Sequence, residues 1–490
     1  MALLAVIVPI ITGLLAFISP ARLREWIHLA GSIATSLIGL GLVWQVAKHG
    51  AMTSHNQFFH IDALSAIVLM IVAIVSLTTS LHSIGYVRHE EAHGLLNDQQ
   101  SKQYYLFYHL FIATMVFVAV VNNMGLLWVG IEATTIVSAF LVALYKKGEA
   151  LEAAWKYLII CSTGIAFALL GVIILYASSV AKLGASNQVL NWTVLADAHL
   201  MLQPNLVTLS FVFIMVGFGT KVGLAPMHFW LPDAHSQAPS PVSALLSGVL
   251  LNCAMLGLIR FGIVAEHTLH NQLIQHLFIG FGLLSVVVAF PFMLVQKDFK
   301  RMLAFSTVEH MGIIAVALGI GGSLGYSAAL LQMFNHSMGK SMLFLSAGNV
   351  NQKYKTKQIP RVFSLLRIMP FTGVVFLVGT LAVTGVPPFN IFTSELAIFV
   401  AGFRQGHALA TSILIFFIAL IFAAMMFHVT KMSFGAEGGE RVTKGEISRW
   451  SAIPLVLPLL FVVALGLYMP ESFTQLIHHA SVILTGGNDV

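Results

Sequence analysis

The stretch "FIMVGFGTKVGLAPMHFW" (residues 213–230) places an ionisable side chain, Lys221, inside an apolar run that breaks at Pro226. A lysine at the centre of a membrane helix costs about 3 kcal/mol on insertion scales. A lysine that is present in spite of this free-energy cost indicates a functional role. The run therefore raises two questions: whether this segment lies in a membrane, and what the lysine does there.

Composition answers the first question. Of the 490 residues, 58% are hydrophobic and 9% are charged, whereas soluble domains carry about 25% charged residues. Apolar runs of about 20 residues recur along the chain, long enough to cross a hydrocarbon core, and no alternating strand pattern suggests a barrel. We predict an all-α integral membrane protein forming a single polytopic domain, residues 1–490, with fourteen spans. The predicted spans start near residues 2, 27, 61, 104, 123, 153, 205, 240, 274, 302, 325, 368, 408 and 450.

The basic residues of the short loops predict the orientation, because cytoplasmic loops are enriched in lysine and arginine. One face is predicted to hold Arg22, Arg24, Arg88, Lys102, Lys146, Lys147, Lys297, Lys300, Arg301, Lys353, Lys355, Lys357, Arg361, Arg367, Lys431, Arg441, Lys444 and Arg449. The other holds Lys48, Lys182, Arg260 and Arg404. This asymmetry predicts a multi-pass protein of the cytoplasmic (inner) membrane with both termini on the outer side. The net charge of +6 thus reflects topology, and no nucleic-acid partner is expected.

Several classes of site are not expected in this chain. Cys161 and Cys253 fall in separate apolar spans and indicate neither a disulfide nor a metal site. CxxC motifs, P-loops and GxGxxG in a strand–turn–helix context do not occur, so no redox centre or nucleotide site is predicted. Most of the twenty histidines are expected to be solvated in loops and helix ends, as at His478 and His479.

Ionisable residues inside membrane spans are functional candidates by default. They occur in five predicted spans, the fifth, seventh, tenth, eleventh and twelfth, and Lys156 lies at the edge of the sixth. In chain order, the candidates within these five spans are Glu132, Lys221, Glu309, His310, His336, Lys340 and Glu395. His336 and Lys340 are four residues apart and therefore share one helical face.

Each candidate also has a purely structural interpretation. Glu132 can lock two helices through a hydrogen bond, although such a bond contributes only about 1 kcal/mol. Glu395 can cap the helix that resumes after Pro387 and Pro388. Lys156 can extend its ammonium group to the inner surface. The remaining groups can be counter-ions or satisfied core residues: Lys221, Lys340, His336 and Glu309.

Two predicted spans combine an ionisable residue with a proline break. Lys221 precedes Pro226 in the seventh span, and Pro387 and Pro388 precede Glu395 in the twelfth. Interruptions at matching positions of two halves are typical of inverted-repeat transporters, whose ion sites lie at broken helices. We therefore predict two five-helix repeats, residues 103–265 and 273–434, of opposite orientation. Their broken helices would open half-channels to opposite sides of the membrane.

Longer motifs resemble a known superfamily. They are "GTKVGLAPMHFWLPDAHSQAPSPVSALL", "SIGYVRHEEAHG", "IEATTIVSAFLV", "EAAWKYLIICSTG", "FKRMLAFSTVEHMG" and "GVPPFNIFTSE". Together they are similar to the antiporter-like, proton-conducting subunits of respiratory complex I, multisubunit cation/proton antiporters and energy-converting nickel-iron hydrogenases. The resemblance covers roughly residues 55 to 435 and is strongest to the hydrogenase-4, formate-hydrogenlyase-like branch represented by component F.

The resemblance implies a fold of fourteen helices in which helices 7 and 12 are broken, and it implies a proton relay. Glu132 and Lys221 would form the ion pair of the inner half-channel. Lys340 and His336 would continue the row of polar residues, and Glu395 would lead to the outer half-channel. Lys156 and Glu309 are further possible relay groups. One departure is that Ser247 and Asn252 stand where many relatives have a histidine or lysine, so the step from Lys221 to Lys340 lacks an obvious titratable group.

The resemblance also implies partners. The expected function is proton translocation, or sodium translocation, by a membrane subunit of a hydrogenase-type oxidoreductase complex. The nickel-iron centre and iron-sulfur clusters would then lie in partner subunits of a peripheral redox arm, beside other membrane subunits in the bilayer of a bacterium or archaeon. Two alternatives remain open: a subunit of a cation/proton antiporter or ion-coupled uptake system without a redox arm, and a membrane scaffold that no longer conducts.

Overall fold

The computed structural model describes residues 1–198, 201–269, 271–436 and 442–486. Within these ranges the chain is almost entirely helical. A single short hairpin interrupts the described helices, with Met52–Ser54 pairing antiparallel to Phe59–Ile61. Because nearly every backbone group finds its partner within its own helix, the chain meets the requirement of a lipid environment. The prediction of an all-α membrane protein is confirmed.

The α-helices of the described ranges are numbered here in chain order. They are α1 Ala2–Ile18, α2 Ala21–His49, α3 Ala63–Ala92, α4 Asp98–Val120, α5 Met124–Val142, α6 Gly148–Leu183, α7 Trp192–Ala198, α8 Pro204–Val222, α9 Trp230–Gln237, α10 Ser240–Leu245, α11 Leu251–Leu269, α12 Leu273–Leu294, α13 Phe299–Ile320, α14 Gly322–Tyr354, α15 Leu365–Ile368, α16 Pro370–Val383, α17 Asn390–Arg404, α18 Ala408–Phe434, α19 Arg449–Ala452, α20 Val456–Leu467 and α21 Glu471–Leu484.

Eleven helical segments of the described ranges are long and apolar enough to cross a membrane. The other three predicted spans correspond to α1 and α16, which are shorter, and to α14, which has 33 residues but a polar composition. Predicted starts agree with helix starts, the largest displacements being 27 against 21 and 104 against 98. Apolar periodicity thus located the helices and missed up to two polar turns at their ends.

Two helices are broken where proline was expected to break them. The helix α8 ends at Val222, Gly223 follows with a φ of +84°, and helical structure resumes with a 3₁₀ turn and α9. The indole N–H of Trp230 donates to the Thr220 carbonyl at 2.9 Å and ties the two halves together. In the second break, α16 ends at Val383 and α17 begins at Asn390.

The most buried helices are α3, α11, α13 and α14, whereas α1, α2 and α18 expose large apolar side chains as lipid-facing helices do. Close backbone approach joins α6 to α8. A Cβ added to Gly217 of α8 would lie 2.5 Å from the backbone nitrogen of Ala168 on α6. Small residues of this kind let membrane helices pack tightly. The contact fixes the part of α8 that carries Lys221 against α6.

Three parts of the fold were not predicted. The hairpin, the short helix α7 and the C-terminal helix α21 had no sequence signal strong enough to detect. Arg260 was assigned to a loop of the outer face, but it lies in α11 with 1% of its surface exposed and pairs with Asp62. The expectation that most histidines are solvated also needs correction, because nine of the eighteen histidines in the described ranges are buried: His28, His60, His82, His109, His228, His235, His310, His336 and His428.

Candidate ion-translocation site

Lys221 lies in the last turn of α8, completely buried, next to the first break. Its ammonium group donates hydrogen bonds to the hydroxyl groups of Thr135 at 2.7 Å and Tyr157 at 2.6 Å. The Tyr157 hydroxyl is also 2.7 Å from that of Ser138. The ammonium group further lies 5.8 Å from the Trp230 ring centroid. A buried ammonium is therefore held by neutral oxygens and aromatic faces.

Glu132 does not contact Lys221 directly. The carboxylate accepts a hydrogen bond from the Ser162 hydroxyl at 2.7 Å through Oε1, while Oε2 is buried without a partner among the described residues. The two charges still lie within electrostatic range of each other. The expected ion pair is therefore not formed. The Glu132 carboxylate and the Lys221 ammonium group lie farther apart than the 4 Å limit of an ion pair. The unpartnered Oε2 atom of Glu132 could take up a proton or bind a small cation.

Lys340 occupies the centre of α14 and is likewise fully buried. Its ammonium group donates to the Ser306 hydroxyl at 2.6 Å and to the Leu303 carbonyl at 3.3 Å. Glu309 lies one turn beyond Ser306 on α13, and its charge interacts with that of Lys340. Its Oε2 atom is buried and has no partner in the described chain. The arrangement around Lys340 therefore repeats that around Lys221, with a hydroxyl in contact and a carboxylate nearby.

His336 faces the helix that follows the first break. A π-helical turn, Leu246–Leu250, interrupts the start of that helix, and the Ser247 carbonyl within it lies 3.3 Å from Nε2 of His336. Such turns are frequent at functional sites because they redirect backbone groups. With Nε2–H donating, Nδ1 of His336 carries a lone pair, and this atom is buried without a partner among the described residues. His336 therefore keeps a buried lone pair that is chemically able to accept a proton.

Ser247 and Asn252, the positions of the departure, are both buried in the same region. The Ser247 hydroxyl is 2.8 Å from that of Thr307, and the Asn252 amide donates to the Ser337 hydroxyl at 2.8 Å. Neither side chain titrates in the physiological range. They join this helix to α13 and α14 as hydrogen-bonding groups rather than as proton carriers.

His310 connects His336 to the second break. Its ring centroid lies 5.0 Å from that of His336. Nε2 is 2.9 Å from the Val383 carbonyl, and Nδ1 is 3.0 Å from the Gln332 amide nitrogen. The Gln332 oxygen accepts a 2.5 Å hydrogen bond from Ser394. These contacts form a continuous polar path from α14 to α17.

Glu395 follows Ser394 on α17 and is buried, with 3% of its surface exposed. Its carboxylate lies against Gly385 in the second break, where an added Cβ would overlap Oε2. The N-cap of α17 is Phe389, which makes no side-chain capping bond. The charge of Glu395 interacts with that of Glu309. Glu395 therefore belongs to the far end of the polar row and does not cap the resumed helix from its first turn.

His235 is a relay candidate that the sequence analysis missed. It lies on α9, fully buried, and both ring nitrogens lack a partner in the described ranges. Its ring centroid is 6.5 Å from that of Trp230 and 5.1 Å from that of Phe344. A positive charge on this ring would be repelled by the ammonium groups of Lys300 and Lys340. A titratable group thus lies between Lys221 and Lys340, and its position on the resumed half of a broken helix was the signal that could have revealed it.

Lys156 lies outside this row. Nearly half of its side chain is exposed, and the ammonium group pairs with Glu152 at 2.6 Å and with Asp233 at 3.4 Å. This is the geometry of a lysine that reaches the surface. Among the described residues no group of three or more histidine, cysteine, aspartate and glutamate side chains could hold a metal ion. The other predicted ionisable residues lie along one row of cationic, acidic and imidazole groups, all of them buried except Glu132, which is partly buried.

Comparison with known proteins identifies the family. A family model described as "NADH:quinone oxidoreductase/Mrp antiporter, TM" matches residues 121–423, and the model of the "NADH-Ubiquinone oxidoreductase (complex I), chain 5 N-terminus" matches residues 53–94. The chain belongs to the NADH:quinone oxidoreductase/Mrp antiporter membrane family. The predicted superfamily membership is thereby confirmed, and the chain is a multi-pass integral membrane protein of that family.

Individual relatives narrow the branch of this family. A hydrogenase-4 component F homolog of Methylacidiphilum infernorum is 34% identical over 471 residues, covering 96% of this chain and 97% of that protein. Hydrogenase-4 component B of Escherichia coli is 31% identical over 349 residues, covering 68% of this chain but only 49% of the relative. A chain of the membrane-bound sulfane sulfur reductase, an archaeal respiratory membrane complex, superposes with a TM-score of 0.86 at 25% identity, covering 99% of this chain and 97% of that chain.

Proposed function

We propose that this chain is a proton-translocating membrane subunit of a hydrogenase-type multisubunit oxidoreductase complex. Family membership and the full-length similarity to a hydrogenase-4 component F homolog support the class of complex. The buried row of titratable groups supports the activity. The main observation in support of this activity is that Lys221, His235 and Lys340 are all fully buried. Burying such groups in a membrane costs free energy, and this cost is accounted for if ions bind to them.

A proton would follow the row in steps. Glu132 and Lys221 form the entry, because the charge of the carboxylate changes the proton affinity of the ammonium group. His235 connects Lys221 to Lys340 past the aromatic rings between them. From Lys340 the path continues along Glu309 to His336 and His310, and through Gln332 to Ser394. Glu395 then forms the exit at the second break.

The energy must come from outside this chain. Moving one charge against about 150 mV requires roughly 3.5 kcal/mol. In this proposal the energy comes from electron transfer in partner subunits, which would hold a nickel-iron centre and iron-sulfur clusters in a peripheral redox arm, or from an existing ion gradient. Other membrane subunits would transmit the effect of electron transfer laterally through the membrane to this chain. Sodium ions could replace protons at the carboxylates.

The proposed architecture comprises fourteen spans and two inverted repeats, residues 103–265 and 273–434, each containing one broken helix. The equivalent positions of the two breaks, each next to a buried ionisable residue, support this division. The excess of basic loop residues supports a cytoplasmic (inner) membrane location in a bacterium or archaeon with both termini outside. The face carrying Lys147, Lys300 and Lys357 would then be cytoplasmic.

Reconstituted vesicles test the relay. The complete complex is purified, incorporated into liposomes and driven by its electron donor while internal pH is recorded. We expect Lys221→Ala and Glu132→Gln each to lower coupled proton flux at least about tenfold, since either change removes a charge from the entry. Lys182→Ala, which alters an exposed lysine at the end of α6, serves as the matched control. Undiminished flux in both relay variants would refute the assignment.

A second candidate is a subunit of a cation/proton antiporter without a redox arm. The family description includes Mrp antiporters, which favours retaining it. Purifying the native complex and identifying its subunits separates the two functions. A nickel-iron hydrogenase large subunit and iron-sulfur proteins support the first function, whereas small membrane proteins alone support the second.

A further inference from the structure

A cavity of about 410 Å³ opens on the face of the molecule where α3 and α14 end and α13 begins. Four lysines line it, Lys147, Lys300, Lys355 and Lys357, together with His89 and His93. Glu90 is the one carboxylate in the described lining. The cavity is thus strongly electropositive. It is not itself a link in the proposed relay, although Ser236 of its lining is the residue next to His235 on α9.

The lysines of this cavity have no carboxylate at ion-pair distance within the described chain, although Asp298 and Glu90 act on Lys300 over a longer range. None of its four lysines takes part in an ion pair there. Lys300, with 2% of its surface exposed, donates to the Ala238 carbonyl at 2.6 Å, which satisfies one of its three N–H groups. The Glu90 carboxylate instead accepts a hydrogen bond from the Gln352 amide at 2.8 Å. A buried ammonium without a counter-charge is unfavourable unless an anion supplies one.

Lys357 shows the same pattern beside the cavity mouth. Its ammonium group contacts only neutral oxygens, those of Ser236 and Gln237, at 3.0–3.2 Å. Burial lowers the pKa of Lys357, against the opposing effect of Asp298 and Glu149. The adjoining surface differs, because Arg301 pairs there with Asp233 and Lys156 pairs with Glu152. Arg301 and Lys156 thus have carboxylate partners, which the four lysines of the cavity do not have within the described chain.

We propose that this cavity is a binding site for an anion that carries phosphate groups. A phosphate group supplies a charge of about −1.5 to −2 and three acceptor oxygens, which suits several ammonium groups better than one carboxylate does. Lysine is a common phosphate ligand because it acts as a mobile point charge. The volume lies within the range of small-molecule sites. The surrounding helices α3, α13 and α14 are among the most buried, which favours a water-soluble anion over a lipid headgroup as the source of the phosphate.

Binding of an anion in the cavity would also affect proton transfer along the relay, a consequence that rests on the proposed function. Lys300 lines the cavity, and its charge interacts with that of His235. An anion beside Lys300 would offset the repulsion that this ammonium exerts on a protonated His235. Proton flux would then depend on the anion, whereas binding itself would persist even if the chain conducted no protons.

Binding is tested with the intact complex in nanodiscs of phosphatidylcholine. Inorganic phosphate and pyrophosphate are titrated calorimetrically at constant ionic strength, with potassium chloride as the balancing salt. We expect saturable binding that Lys147→Gln combined with Lys355→Gln weakens by about tenfold, because charged contacts to the anion are lost. Both lysines are exposed, so the fold should tolerate their replacement.

The matched control removes two positive charges elsewhere. Lys146→Gln combined with Lys444→Gln alters exposed lysines that do not line the cavity, and it should leave the affinity unchanged. A second set of nanodiscs containing phosphatidylglycerol separates the two sources of phosphate. Loss of the soluble-phosphate signal in those discs alone supports the site with a lipid headgroup as occupant. No saturable binding in either membrane, or equal weakening by both double variants, would overturn the proposal.

Discussion

The ammonium group of Lys221 lies 2.6 Å from the hydroxyl of Tyr157, and it forms no ion pair with a carboxylate of the described residues. The tyrosine therefore holds the charge that Glu132 was expected to hold. We expect Tyr157→Phe to lower coupled proton flux by about tenfold, because a hydrogen bond to a charged group contributes roughly 1.5–3 kcal/mol. Flux is measured in vesicles containing the complex, and the assembled complex is quantified in parallel.

A matched change distinguishes this role from packing. Tyr145→Phe also removes a tyrosine hydroxyl, a partly buried one that lies 2.8 Å from the hydroxyl of Tyr86 and away from Lys221. It should leave flux within about twofold of the unaltered protein, since no relay group loses a partner. Equal losses in the two variants would show that tyrosine packing, and not the contact with Lys221, sets the rate.

His235 is predicted to supply the titratable step between Lys221 and Lys340. His235→Phe keeps an aromatic ring against Phe344 and Trp230 but removes both ring nitrogens, neither of which has a hydrogen-bond partner in the described ranges. We expect normal assembly with flux reduced at least about tenfold, because a proton carrier is lost without a lost hydrogen bond. His49→Phe, at the exposed end of α2, is the control. Full flux in His235→Phe would mean that water alone carries the proton across this interval.

The position of Glu395 depends on a glycine in the second break. Gly385 has a φ of +69°, and a Cβ there would overlap the Glu395 carboxylate. Gly406 has a similar φ of +83°, but a Cβ there would meet nothing within 4 Å. Gly385→Ala and Gly406→Ala thus share a backbone cost of about 1–2 kcal/mol. We expect Gly385→Ala, and not Gly406→Ala, to lower proton flux. Gly385→Ala should also lower the melting temperature of the complex more than Gly406→Ala does.

Sequence patterns were sufficient for the helices and insufficient for the paths between them. Apolar runs located the spans because lipid leaves the backbone few alternatives to a helix. Buried charge selected Glu132, Lys221, Lys340 and Glu395, which lie in one row. The absence of a direct contact between Glu132 and Lys221 could not be predicted, because hydroxyl groups from other helices compete for the ammonium.

His235 was missed for a related reason. It follows the break at Pro226, and sequence alone does not show that the resumed helix α9 turns its histidine into the interior rather than towards solvent. The row also includes neutral links that carry no charge signal, such as Gln332 and Ser394. Hydrogen-bonding side chains of this kind become visible only when the helices are packed together.

The buried pair of Asp62 and Arg260 predicts a pH-dependent stability. Asp62 caps α3 by accepting from the Ser65 backbone N–H at 2.8 Å, and it lies 3.3 Å from the Arg260 guanidinium. Burial alone would raise the pKa of the Asp62 carboxyl, but Arg260 and His60 hold it below its ordinary value of 3.8. Because the pKa of the Asp62 carboxyl is lower in the folded protein, the contribution of this carboxylate to stability is complete above the ordinary pKa and is lost as pH falls through the folded pKa.

Asp62→Asn should remove this acid sensitivity and cost about 3–5 kcal/mol at neutral pH, since it leaves Arg260 buried and unpaired. Thermal unfolding of the detergent-solubilised complex between pH 3 and 7 measures both effects, with Asp197→Asn at an exposed site as the control. A neutral-pH melting temperature equal to that of the control would contradict the prediction.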